Sequence, residues 1–189
     1  MSLATLKTKV GLLIEKVNRI KWFEDNITGI SFWNNRTITS ITLDCESFRT
    51  LNSAFSSCHK LNSVYLSNTQ NVANWAFMLQ GSLRLRTIET LDFSSADSID
   101  ANTWSPRLEN LKVAPETIKC NFVCQVTTLT LESAKSILLG LYNYSGTDME
   151  FYYSVTLSDE VISLLEADGN TAPDDMNWFD YVSSIGWVM

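Results

Sequence analysis

The chain has 189 residues and a mass of 21.3 kDa; 45% of it is hydrophobic, only 19% is charged, and the net charge is −7 with a pI of about 4.7. The length suffices to bury one sizeable core, and the apolar fraction excludes a disordered chain. An acidic chain with 14 Lys and Arg is a poor phosphate binder, which argues against a nucleic-acid partner. Ser, Thr and Asn, at 22, 18 and 15, take the place of the missing charges and suit a β-rich surface with many turns. No apolar run approaches the length of a membrane-spanning helix, so no membrane insertion is expected. Lys7, Lys9, Glu15 and Lys16 interrupt the N-terminal apolar residues, which is not the pattern of a signal peptide. The four cysteines, Cys45, Cys58, Cys120 and Cys124, are therefore expected to be reduced and mostly buried.

In chain order, residues 1–25 predict an amphipathic helix. Leu3, Leu6, Val10, Leu13, Val17 and Ile20 follow the 3,4 spacing of a heptad seam, and Ser2 can cap its start. Such a seam either docks on its own domain or acts as an anchor or oligomerisation helix. Next come Ile27–Phe32 and the turn residues Trp33, Asn34, Asn35 and Arg36, which predict a hairpin sealing the end of the following domain.

Residues 26–157 are read as that domain, because a repeat runs through them. Ile38–Leu43, Leu61–Leu66, Ile88–Phe93, Leu108–Val113 and Val126–Leu131 all have the form apolar-x-x-apolar-x-apolar. Their starts differ by 23, 27, 20 and 18; a sixth copy, Tyr152–Leu157, begins 26 later, and Val182–Trp187 is a weak seventh. These spacings lie mostly within the range of leucine-rich repeats, in which short parallel strands stack and share one core. The expected fold is thus an α/β solenoid, an irregular leucine-rich-repeat stack with a parallel β-ladder, variable loops, an N-terminal helix and a helical C-terminal cap. Its outward ladder residues would be Thr42, Tyr65, Asp92, Lys112, Thr130 and Thr156, a flat polar face. Residues 158–189 predict the cap: helices opening at Ser158 and near Asn177, a loop over Asp168–Asp175, and a closing strand at 186–189; an earlier helix spans about Glu132 to Tyr144.

Chemistry is sparse. His59, the single histidine, lies in a loop before the second repeat, and no nucleophile–base arrangement builds on it. The spacing of Cys120 and Cys124 with two distant cysteines is a weak zinc pattern. Glu89 and Asp92 fall on outward strand positions rather than in a desolvated cleft, and the Asp168–Asp175 loop lacks the full calcium-loop spacing. No catalytic residue, metal or cofactor is therefore assigned. Aromatic residues gather near both ends: Trp22, Phe23, Phe32 and Trp33 at one, Trp178, Phe179, Tyr181 and Trp187 at the other, where large apolar groups would close a stack.

The segment Ala54, Phe55, Ser56, Ser57, Cys58 to Ser67 resembles the repeat of the BspA-like leucine-rich-repeat family, with its Met-Phe pair, Gly-Cys turn and L-x-x-L-x-L-S strand. Val72–Gly81 resembles the next convex segment; Ala54 replaces the usual Met, and Ser82 stands where Cys is usual. Gly140, Leu141, Ser145, Gly146, Thr156, Leu157, Ser158–Glu160, Gly186 and Trp187 are similar to the closing segment of phage-encoded members. The resemblance implies a non-catalytic structural or protein-binding role, foremost as a bacteriophage virion component: a fibre, decoration or tail-associated protein. Its implied partners are other virion proteins, a host surface or further copies of the chain. A bacterial surface adhesin is the alternative, and a tail-associated glycan hydrolase is more remote; the expected location is the virion, with the bacterial cell surface or the cytoplasm as alternatives.

Overall fold

A computed structural model describes residues 29–101, 104–147 and 153–189. The seam Leu3, Leu6, Val10, Leu13, Val17 and Ile20, with Trp22 and Phe23, lies outside the described residues. The chain forms parallel β-sheets arranged as a solenoid of about four turns, with a few helices.

The first sheet orders β1 (Ser40–Asp44), β2 (Ser63–Ser67), β3 (Thr87–Leu91) and β5 (Asn110–Val113), all parallel. Alternation along each strand sends one set of side chains inward. Ile41, Val64, Ile88 and Leu111 form one inward row across the sheet, and Ser40, Ser63, Thr87 and Asn110 an outward one. The outward row hydrogen-bonds along itself, Ser63 Oγ to Ser40 Oγ at 3.0 Å and Asn110 Nδ2 to Thr87 Oγ1 at 3.4 Å.

This register corrects the repeat. Val64 pairs with Ile88, not with Leu91, so the third copy begins at Leu85 rather than at Ile88. The starting residues Ile38, Leu61, Leu85 and Leu108 are then 23, 24 and 23 apart, and the irregular period disappears. The sequence pattern slipped because β3 carries a bulge. Its register shifts between Ile88 and Leu91, with Thr90 at φ 52°. One extra residue there lets Leu91 and Phe93 both turn inward, which mimics the last two apolar positions of the motif.

A second ladder runs behind the first. Isolated parallel bridges join Gly29, Thr50, Asn74 and Ser98 in succession. From there β4 (Ile99–Asp100), β6 (Phe122–Cys124), β7 (Tyr153–Leu157) and β8 (Trp187–Val188) continue as a parallel sheet. Residues 29–34 are thus not half of a hairpin. They run alongside the next coil, with Phe32 N donating to Ala54 O at 2.6 Å and Asn34 N to Ser56 O at 2.9 Å. The Asn34–Asn35 turn is real, but it belongs to a stack of turns in which Asn34, Ser57 and Gly81 share a left-handed backbone at φ 57°, 60° and 74°. In this stack Phe32 lies against Phe55, ring centroids 5.8 Å apart.

Sheet one ends on a helix instead of a fifth strand. Thr130 N still donates to Glu109 O at 2.9 Å, as a strand would begin, but the chain then enters α1 (Leu131–Gly140) with Thr130 as N-cap. The expected repeat at Val126–Leu131 is therefore not a strand. Serines take over the missing ladder bonds: Ser133 Oγ accepts from Leu111 N and Ser136 Oγ from Val113 N, each at 2.9 Å. The free edge of β5 is thereby covered, a standard hazard of open sheets removed. Gly140 permits the close fit, since a Cβ there would sit 2.6 Å from Val113 Cγ1.

The cap continues with α2 (Asp159–Ala167), N-capped by Ser158, and α3 (Trp178–Ser184), N-capped by Asn177. Acidic Asp159 and Glu160 lie in the first turn of α2, where the helix dipole favours them. Trp178 and Trp187 are buried, and Trp187 Nε1 donates to Tyr142 O at 2.8 Å. Across the whole stack one continuous core extends from Cys45 to Trp187.

Candidate functional site

The outward face of the first sheet carries an open depression. Thr42, Tyr65 and Glu89 form one cross-strand row. At the C-terminal ends of these strands a second column, Asp44, Asn68 and Asp92, recurs at 24-residue intervals. Each side chain there has a local task. Asp44 Oδ1 accepts from Glu46 N at 3.1 Å and from Asn68 Nδ2 at 3.0 Å, and these bonds, the Asn68 one first, hold its carboxyl below the usual range. Asp92 Oδ1 accepts from Ser94 N at 2.9 Å. Thr69, buried beneath them, receives Asp92 N–H on Oγ1 at 2.7 Å and donates to the Asp92 carbonyl at 3.1 Å.

Between the row and the column lies an open depression of about 500 Å³, whose lining includes Thr42, Tyr65, Asn68, Gln70, Glu89 and Asp92. Tyr65 is 37% exposed and supplies its aromatic wall. The bulge at Thr90 offsets the middle of β3, so that Glu89 and Asp92 border the same hollow. No lysine or arginine lines it. Lys112, one strand further on β5, is exposed but is not part of the lining.

Thr42, Tyr65 and Asp92 all line the hollow, although Asp92 sits beyond its strand rather than beside Tyr65. Glu89 holds the position assigned to Asp92. Thr130 is displaced from the face because it caps α1. Thr156 belongs to β7 in the second sheet, paired with Val123, and so cannot share a surface with Thr42 and Tyr65. The residues missed were Asn68, Thr69 and Gln70. Their signal was the 24-residue recurrence of Asp44, Asn68 and Asp92.

Other candidates resolve into structure. His59 is exposed in a turn. All four cysteines are free and buried; burial foremost pushes the Cys45 thiol up to about 12 and those of Cys120 and Cys124 up to about 11. Cys58 Sγ donates to Phe32 O at 3.1 Å, and Ser82 Oγ makes the corresponding bond one coil on, to Phe55 O at 2.6 Å. In the Asp168–Asp175 loop, Asp168 bonds Thr171 Oγ1, Lys135 Nζ at 2.9 Å and Trp178 Nε1 at 3.0 Å. Those three donors, the Thr171 hydroxyl foremost, hold its carboxyl down at about 2. The loop is tied to α1 and α3 by this carboxylate, a structural use in place of the calcium reading. Among the described residues no group of three His, Cys, Asp or Glu is placed to hold a metal ion, and no helix is long and apolar enough to cross a membrane. No family model, no curated protein and no solved structure matches the chain.

Proposed function

We propose that this chain is a non-catalytic structural and protein-binding module, a leucine-rich-repeat solenoid of the BspA-like kind serving as a bacteriophage virion component. The observation that carries the reading is the unclosed polar face of a four-stranded parallel ladder, indented at Tyr65 and backed by one rigid core. The 23- and 24-residue period and the equivalent bonds of Cys58 and Ser82 support the repeat assignment. In this reading the seam from Leu3 to Ile20 anchors the module or joins copies of it. The test is the light-scattering mass of the full chain beside a variant carrying Val10→Asp and Val17→Asp. A multiple of 21.3 kDa that falls to the monomer in the variant supports a seam-joined assembly. Monomers in both cases rule out self-assembly through the seam. Purified particles from the source that contain the chain at structural stoichiometry support the virion role; their lack of it refutes that role.

One observation favours a second reading, a glycan hydrolase: Glu89 and Asp92 border a single hollow. Glycosidase carboxylates flank the scissile bond, separated by about 5–9.5 Å. Release of reducing sugar from a surface polysaccharide that ceases in Glu89→Gln would establish this reading over the first.

A further inference from the structure

We propose that the hollow at Tyr65 receives an arginine side chain from an extended segment of a partner protein. The inference rests on the reading of the ladder face as a contact surface and names what that surface takes. Three features of the site select the occupant. The first is shape: a depression of about 500 Å³ open on a flat strand face has room for one long side chain from a chain lying across it. The second is charge. Glu89 and Asp92 border the hollow with no cation in its lining, on a protein of net charge −7, so a cationic group is drawn to it and an anionic one repelled. The third is the pairing of an aromatic ring with a carboxylate in one cross-strand row. Tyr65 and Glu89 are register partners on β2 and β3. Among the described residues neither the Tyr65 hydroxyl nor the Glu89 carboxylate has a hydrogen-bond partner.

A guanidinium satisfies both groups at once. Its plane stacks on the tyrosine face while its fork of N–H donors meets the carboxylate in two parallel bonds. An ammonium lacks the planar face and the fork, so arginine is preferred to lysine. Asp92 adds charge but not freedom, since its Oδ1 already accepts from Ser94 N. Asn68 Nδ2 donates to Asp44 and so does not compete with the guest for the Glu89 carboxylate.

The experiment uses the full chain and fluorescein-labelled tetra-arginine, followed by fluorescence anisotropy at 150 mM salt. Tetra-lysine and tetra-citrulline serve as comparison peptides, and free arginine as competitor. Binding of tetra-arginine that exceeds tetra-lysine, with none for tetra-citrulline, is expected. Glu89→Gln, an exposed and nearly isosteric change, is expected to weaken it at least about tenfold, the order of one charge-assisted hydrogen bond. Tyr65→Leu narrows the preference for arginine over lysine, leaving the part that comes from the fork on Glu89. Glu160→Gln, a remote exposed carboxylate on α2, leaves affinity unchanged. Equal weakening by Glu89→Gln and Glu160→Gln would mean attraction to net charge alone and overturns the proposal. So does absence of binding, and so does an affinity for tetra-arginine that millimolar free arginine leaves untouched, since one guanidinium is what the hollow takes. None of these results alters the light-scattering mass, so the inference and the assembly through the seam fail separately.

Discussion

Ser133→Ala tests whether α1 stands in for a strand. Ser133 is buried, and its Oγ accepts from Leu111 N and donates to Glu109 O, both at 2.9 Å. Alanine removes both bonds and leaves a buried N–H on β5 without a partner. An unsatisfied buried group costs about 1–3 kcal/mol, and alanine returns about 0.5 kcal/mol through helix propensity, so a net loss of about 1.5 kcal/mol is expected. For a chain of this length that lowers the Tm by about 3–6 °C. Circular-dichroism melts of wild type and variant give the number, with urea unfolding as a second measure. Ser163→Ala is the control: its Oγ bonds Asp159 O within the exposed face of α2, and its loss is expected to stay within about 0.5 kcal/mol. If the two variants melt together, Ser133 does not complete the ladder, and α1 merely lies over β5. The variant is also expected to aggregate sooner near its Tm, because the β5 edge is released when α1 lifts.

Three further outcomes follow from the same structure. Ser82→Ala removes the donor to Phe55 O and the acceptor for Cys58 N between adjacent coils, and it is expected to cost about 2–4 kcal/mol by urea unfolding, with Ser82→Cys losing less because a thiol retains a weak donor. A cysteine variant as damaging as alanine would refute the equivalence of Ser82 and Cys58. Gly140→Ala is expected to destabilise by about 1–3 kcal/mol despite the better helix propensity of alanine, because its Cβ meets Val113 Cγ1 at 2.6 Å; a gain in stability would show that α1 shifts freely on β5. Asp168 has a folded pKa of about 2, below the 3.8 of a free aspartate, so its contribution is fully present above about pH 4 and declines as pH falls towards 2. Wild type and Asp168→Asn should therefore differ in Tm at pH 7 and converge near pH 2, and a constant difference across that window would refute the assignment.

The apolar triplets alone determined the parallel stack. Residues spaced as in Leu61, Val64 and Leu66 have an inward face only as short strands, and one such unit cannot bury that face without its neighbours. The caps of the last two helices were equally legible, because Ser158 and Asn177 act on backbone N–H groups within three residues. What lay beyond local pattern was register and substitution of one element for another. Asp92 joins Glu89 at the hollow only because β3 bulges at Thr90, and the apolar pattern of Ile88, Leu91 and Phe93 reads equally well three residues out of phase. Thr130 and Leu131 look like a strand, yet the chain turns helical there because Ser133 and Ser136 can bond the β5 backbone from a helix, a partner 22 or 23 residues away in sequence. Thr156 sits in an outward-looking pattern but in the other sheet, a choice made by its pairing with Val123. Local periodicity sets which side of a strand is apolar, while the neighbour that a strand meets, and hence which outward residues share a face, is decided by hydrogen bonds between coils that close only in the folded stack.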